Sequence, residues 1–356
     1  MIKLSLVTFV ALPYPSAEGV HMAMMAGAFS KTVDFELVSP MKIWRPSTAS
    51  KSLKLFGEGL DRIKHRKFLQ LRPENTFFLN SILSKDKTRV YYCRQSYAAD
   101  FFLKKGRRVI WELHGLPSEA EFEFLKQAFN APNFIALVVI TNTLKSDVVG
   151  VLGEQYADSI HILPDAADID RFDYLPMKDL SSDLKIGYIG SNYPGKGWEI
   201  IEKLPEKCKS EFHIYGFSHD ENPFSNVKFY GKVPYSQIPK ALNTFDIGLL
   251  PNQPDVIMRA GDNIGKYTSP MKLFEYMASG KVMVASDLPV IREILTDEHN
   301  ALLVPHDDVD AWLSAIDRLE KDRVLYKRLQ EQAYKDVCDF YSYNARVRRI
   351  IDIVNN

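Results

Sequence analysis

The chain has 356 residues, 46% hydrophobic and 25% charged. That is too long for one ordinary core, and the composition is that of soluble globular domains, two of about 150–200 residues being the natural division. Lysine plus arginine and aspartate plus glutamate both number 45, which argues against a nucleic-acid binder held by net charge. The three cysteines, Cys93, Cys208 and Cys338, fit no metal or disulfide spacing and suit a reducing compartment; no run of 18 apolar residues exists to cross a membrane.

Residues 2–11 alternate and then run apolar, which predicts a first parallel strand covered on both faces. A signal segment is the weaker reading, because only Lys3 supplies positive charge and Pro13 ends the run without a small-residue cleavage site. Gly19 then stands just before a Met- and Ala-rich helix, where a residue without Cβ lets backbone approach a ligand and the helix start favours an anion. A strand is expected at 35–40. From Lys42 to Arg72 the basic residues Lys42, Arg45, Lys51, Lys54, Arg62, Lys64, Arg66, Lys67 and Arg72 face only Glu58 and Asp61, with apolar residues interleaved. Such a stretch suits an anionic lipid surface or an acidic acceptor, and equally a solvated helical face.

Strands follow at 88–95 and 107–117. The second ends in Glu112, His114 and Gly115, at the carboxyl end where open α/β sheets bind ligands, which singles out His114 as a hydrogen-bonding group. A strand and a helix capped at Thr141 or Asn142 come next, then HILPDAADIDRF, in which Asp168 and Asp170 spell a DxD, a pattern that can hold a divalent cation. The charged, proline-bearing run Asp165–Ser182 reads as the domain boundary.

The second half restarts the same alternation with the strand at 184–190. Gly190, Gly195 and Lys196 then match GxxxxGK, but Gly197 occupies the place where a P-loop needs Ser or Thr for magnesium, so phosphate binding by Lys196 survives and nucleoside triphosphate hydrolysis does not. Five further apolar runs separated by helical stretches predict a doubly wound parallel sheet. Between two of them lies YTSPMKLFEYMASG, residues 267–280. Ser269 is expected to cap a helix that Pro270 opens and Gly280 closes. Lys272, Glu275, Tyr276 and Ser279 share the side opposite the apolar stripe of Met271, Leu273, Phe274, Met277 and Ala278. A cation and a carboxylate in the first turns suit a sugar nucleotide, with Lys272 and backbone amides on the diphosphate and Glu275 accepting from two vicinal ribose hydroxyls; the pattern also describes an amphipathic helix with a solvent-facing Lys–Glu pair. Long helices close the chain, the last bearing Arg346, Arg348 and Arg349.

In order and spacing these motifs resemble the retaining glycosyltransferases of family 4, most specifically from Gly187 to Pro305. The resemblance implies the GT-B architecture: α/β, two Rossmann-like doubly wound parallel-sheet domains facing a cleft, here residues 1–170 on the acceptor side, a linker at 171–183, a nucleotide-sugar domain at 184–340, and a final helix at 341–356 packing back towards the N-terminal domain. It implies transfer of a hexosyl group from a nucleotide-diphosphate sugar to a saccharide or lipid-linked acceptor, with no metal and no other cofactor, in polysaccharide or glycolipid assembly. The expected setting is cytoplasmic, at the inner membrane face if the basic 42–72 stretch makes peripheral contact, and without nucleic acid. Lys196 takes the place of the diphosphate-binding lysine, Glu275 that of the second glutamate of an E-x7-E element, His114 that of the histidine against the donor sugar, and Gly19 that of the acceptor-domain glycine loop. Ser269, Pro270 and Met271 begin the phosphate-facing helix, and Val233 flanks the base. Two positions depart from the pattern: Tyr267 replaces the first glutamate, and Ser191 a phosphate-binding arginine whose charge Arg259, Lys266 or Lys272 would restore. The same architecture also serves nucleotide-sugar 2-epimerases, and the two departures leave open a non-catalytic sugar-nucleotide binder.

Overall fold

The apolar runs become parallel strands because each is buried on both faces: Leu4, Ser5, Leu6 and Val7 on the first strand are all fully inaccessible, and each aliphatic side chain so buried contributes roughly 1.5–3 kcal/mol. The computed structural model describes residues 1–356 except 14–15, 42–50, 58, 71–75, 177–182, 220–221, 223 and 258–262. The chain forms two compact units, Met1–Pro164 with Tyr343–Asn356, and Asp165–Ser342.

The first unit holds strands β1 (Lys3–Val7), β2 (Asp34–Met41), β3 (His65–Leu69), β4 (Val90–Cys93), β5 (Arg108–Leu113), β6 (Phe134–Val139) and β7 (Ile160–Ile162). They form a parallel sheet in the order β3-β2-β1-β4-β5-β6-β7, so the winding reverses between β1 and β4. The basic stretch contributes an element that its composition hid. Instead of a helix it forms short 3-10 turns at Lys51–Leu55 and Leu60–Arg62 and then β3, which pairs with β2 at the sheet edge, where charged side chains face water and discourage pairing with other chains. Lys64 and Arg66 lie 3.4 and 3.6 Å from the buried Glu36 carboxylate. Residues 42–50, 58, 71 and 72 of that stretch lie outside the described residues. The last helix, Tyr343–Asn355, buries Tyr343, Arg346, Val347, Ile350 and Val354, a stripe at three- and four-residue spacing, and packs on the helix Ala17–Ser30 of this unit.

The second unit holds β8 (Ile186–Ile189), β9 (Phe212–Tyr215), β10 (Val227–Phe229), β11 (Ile247–Leu250), β12 (Val282–Ser286) and β13 (Leu302–Val304), again all parallel, in the order β10-β9-β8-β11-β12-β13. Its winding reverses between β8 and β11, and the crevice beyond the carboxyl ends of two such strands is where an open α/β sheet takes a ligand. The loop Ser191–Gly197 leaves β8 and the loop starting at Pro251 leaves β11. These loops are in contact: Gln253 donates its N–H to the Gly195 carbonyl at 3.0 Å, and a Cβ on Gly197 (φ +82°) would lie 1.9 Å from the Pro251 carbonyl oxygen. Ser or Thr therefore has no room at 197, which is the physical reason that this loop is not a triphosphatase P-loop.

Candidate active site

Lys272 and Glu275 project from the helix Met271–Ala278, which leads into β12. This helix is not amphipathic in the expected sense: Glu275, Tyr276 and Ser279 are as buried as the apolar stripe, because the helix is packed between the helix Arg323–Asp339 and β12 rather than lying on the surface. Tyr276 accepts the Ile189 N–H on its hydroxyl at 3.0 Å and fills the space left by Gly248. Ser269 does not cap the helix. Pro270 occupies the cap position without a side-chain bond, and the Ser269 hydroxyl instead accepts the N–H of Asp165 at 3.0 Å. Gly280 does close the helix in the left-handed conformation, φ +66°.

The ammonium of Lys272 is buried and has no hydrogen-bond partner among the described residues. It stands 4.3 Å from the centroid of the Tyr188 ring, a contact that replaces little of the hydration it has lost. Burial, with the charge of Lys196 nearby, pushes its pKa well below the usual lysine value, against a smaller opposing pull from Glu275. Burial also lowers Lys196. The Tyr188 hydroxyl ties the two together by donating to the carbonyls of Ser191 at 2.7 Å and Lys196 at 3.3 Å. Two positive charges thus act on one another here, both depressed by burial, an arrangement that an anion would relieve. Glu275 is the opposite case: burial raises its pKa to about 7, and Tyr235, which donates to it, with the charges of Arg171 and Lys272, limits the rise.

The remaining second-unit residues surround this centre less closely. Met271 opens the helix, Ser191 contributes a carbonyl to Tyr188, and Val233 packs half-buried against the core. Tyr267 ends a 3-10 turn with the Lys266 ammonium 5.5 Å over its ring. Arg259 lies outside the described residues. Asp168 precedes the turn Ile169–Arg171, whose side chain at the site is Arg171.

In the first unit, His114 follows β5 and shares a face with Glu112, two residues back. Glu112 is fully buried; its Oε1 meets His114 Nε2 in a short hydrogen bond and lies 3.2 Å from His21 Nε2, while Oε2 accepts from Tyr92 and, at 2.6 Å, from Arg346 on the last helix. Burial pushes the Glu112 pKa up, but Arg346, His21 and His114 outweigh it and hold the carboxyl well below the ordinary range. The Tyr343 hydroxyl lies 3.2 Å from His21 Nδ1, and Arg94 approaches His114 Nε2 at 3.1 Å while pairing with Glu18. His21, Glu112 and His114 offer three donor atoms within 4.8 Å of one another, the reach of a metal site. Two guanidinium groups already face that donor set, so a dication fits poorly and the cluster reads as a charge-balanced hydrogen-bond network. Gly19 sits inside the first turn of Ala17–Ser30 rather than before it, with its N–H given to the Ser16 hydroxyl at 3.1 Å, because Ser16 is the cap. The sequence singled out His114 but not His21, Arg94, Tyr235 or Arg171; only Glu112 carried a usable signal, its two-residue strand spacing from His114.

Replacing Arg346 by Met should destabilise the first unit by roughly 3–5 kcal/mol, since it removes the main counter-charge of the buried Glu112 carboxylate. Urea unfolding read on this unit tests it, and the added change Glu112→Gln should recover most of the loss.

Residues 183–322 match the family model described as glycosyl transferases group 1. A phosphatidyl-myo-inositol mannosyltransferase of Mycolicibacterium smegmatis is 28% identical over 134 residues, 36% of this chain and 31% of that protein, so the match spans under a third of the relative's length. Among solved structures, TarM superimposes with a TM-score of 0.76 at 12% identity over 100% of this chain and 99% of its own. Sucrose-phosphate synthase from Thermosynechococcus elongatus gives 0.72 at 12%, over 100% and 98%. HepE of Anabaena, solved with UDP and glucose, gives 0.70 at 12%, over 100% of both chains. The match to the group 1 glycosyl transferases thus lies in the second unit, and the fold of the chain is that of the GT-B class.

Proposed function

We propose that this protein transfers a hexosyl group from a nucleoside diphosphate sugar to a hydroxyl of a saccharide or lipid-linked acceptor, with retention at the anomeric carbon and without a metal ion. The observation that carries the reading is the buried ammonium of Lys272 beside Lys196, a preformed position for a diphosphate. Related folds have been solved with UDP and with UDP-glucose, which supports a nucleoside diphosphate as the ligand.

In this reaction the bond from the anomeric carbon to the β-phosphate oxygen breaks, and the diphosphate leaves with the electron pair. Lys196, Lys272 and the first-turn amides of the helix that Met271 opens stabilise the charge arriving on that leaving group, the task a dication performs elsewhere. The acceptor oxygen bonds to the carbon from the face the diphosphate vacates, and its proton passes to a diphosphate oxygen. Glu275 holds the ribose by accepting from its two hydroxyls, and Ser269, Pro270 and Val233 line the donor.

Thermal shift against UDP, GDP, ADP, CMP, dTDP and their sugar conjugates, with a chelator present, tests the donor site. One nucleotide family should stabilise the wild type and lose its effect with Glu275→Ala or Lys196→Ala. A stabilisation that either variant retains, or that appears only with a divalent cation, removes the corresponding assignment.

We place the acceptor at an anionic membrane surface, in polysaccharide or glycolipid assembly. No helix among the described residues is long and apolar enough to cross a membrane, and the basic first-unit stretch exposes Leu55 beside Lys54. Such a surface binds by charge together with a shallow apolar foothold. Sedimentation with phosphatidylserine vesicles should carry the protein down at low salt and release it at high salt. Absence of binding at low salt defeats this part of the reading.

A further inference from the structure

Two side chains from separate short turns converge on Glu275. The Tyr235 hydroxyl donates to its carboxylate, and the guanidinium carbon of Arg171 lies 5.2 Å from the centroid of the Tyr235 ring. Tyr235 opens the turn Tyr235–Gln237, and Arg171 closes the turn Ile169–Arg171. Glu275 itself is 6% exposed, so the donor that reaches it governs how its oxygens are presented.

A carboxylate has about four acceptor directions. Tyr235 takes one and leaves room for both hydroxyls of a vicinal diol. Without that donor, a buried carboxyl favours its protonated form, which offers one O–H and cannot accept from two hydroxyls at once. A cation over the face of a phenol polarises the ring and strengthens its O–H as a donor, which gives Arg171 a role through Tyr235 beside its own charge on the carboxylate. Rotation about the last bonds of Glu275 is also restrained before the ligand arrives, so less order has to be imposed on binding.

We propose that Tyr235, braced by Arg171, is a positioning residue that presents Glu275 to the 2′,3′-diol of the donor ribose, and that this pair sets a preference for ribonucleotides over 2′-deoxyribonucleotides. The inference rests on the ribose reading of Glu275 given above and extends it to two residues and a selectivity.

Titration calorimetry with UDP and 2′-deoxy-UDP, or with whichever ribonucleoside diphosphate stabilises the wild type and its 2′-deoxy form, tests it. Wild type should favour the ribonucleotide by about tenfold, the value of one hydrogen bond to a charged acceptor. Tyr235→Phe should cut that ratio to about twofold by weakening the ribonucleotide alone, and Arg171→Met should move it in the same direction by less. A purely structural role would weaken both ligands in parallel, and that outcome, or an unchanged ratio, overturns the proposal. Glu275→Gln separates the two levels of argument. If the preference survives that change, the ribose reading is wrong. If it collapses there but persists in Tyr235→Phe, only the brace is wrong. Failure of every ribonucleoside diphosphate to bind overturns both.

Discussion

Lys272→Met is expected to make the free protein more stable and at the same time to abolish transfer. The buried ammonium has no hydrogen-bond partner among the described residues and shares its surroundings with a second lysine, so the fold carries it at a cost. Methionine keeps the straight chain against the Tyr188 ring and removes the charge, which should gain about 1–3 kcal/mol, as when buried charges give way to apolar side chains of like size. Turnover should fall by roughly a hundred- to a thousandfold, the usual effect of removing one group that stabilises charge in the transition state. Melting curves and initial rates on the same preparation check both signs. A variant that melts lower and still turns over would make Lys272 part of the core packing and leave the diphosphate without its principal partner.

Donor binding should strengthen as pH rises through about 7, and free-protein stability should move the opposite way. Burial raises Glu275 from 4.5 to about 7, with Tyr235, Arg171 and Lys272 limiting the rise. A carboxyl whose pKa is higher in the folded state than in the unfolded chain binds more protons when folded. Its contribution is complete below pH about 4.5 and is lost as pH climbs to about 7, a change worth roughly 3 kcal/mol. If Glu275 holds the ribose as proposed, binding needs the ionised form, so affinity grows over the upper part of that window. Burial and the charge of Lys196 hold Lys272 well below the usual lysine value, so the profile belongs to the coupled pair rather than to either group. Glu275→Gln should flatten the acidic limb in both measurements. An affinity that stays level in the wild type from pH 6 to 8 would rule out ionisation of Glu275 as a condition for binding.

The alternation of strands and helices was legible throughout, because parallel strands buried on both faces write themselves as short apolar runs that surface elements do not imitate. The exception is β3, an edge strand with His65, Arg66 and Lys67 as its first three residues, which carries the charges that edges need and therefore reads as something else. Lys196, Lys272 and Glu275 stood out because glycine and proline punctuate their neighbourhoods. What spacing could not convey is burial: Lys272 and Glu275 fit a solvent-facing pair equally well in the sequence, and only the packing of their helix against its neighbours excludes a surface ion pair. Ser269 illustrates a related limit, since serine before proline is a sound cap signal and a tertiary contact with Asp165 claimed the hydroxyl instead. The partners of His114 were out of reach for another reason. His21, Arg94 and Arg346 come from distant parts of the chain and meet only when the first sheet has formed.

The return of the chain to the first unit after Ser342 sets an order of events during synthesis. The second unit has all its residues once Ser342 has left the ribosome, while the first, begun earlier, still lacks the helix that brings Arg346 to Glu112. Until then Glu112 is a carboxylate without its main counter-charge, and the face of Ala17–Ser30 that receives Val347, Ile350 and Val354 stays open. The unit whose translation begins first is thus the last to be finished, and loss of the helix Tyr343–Asn355 would damage the surroundings of His114 while sparing Lys196 and Lys272.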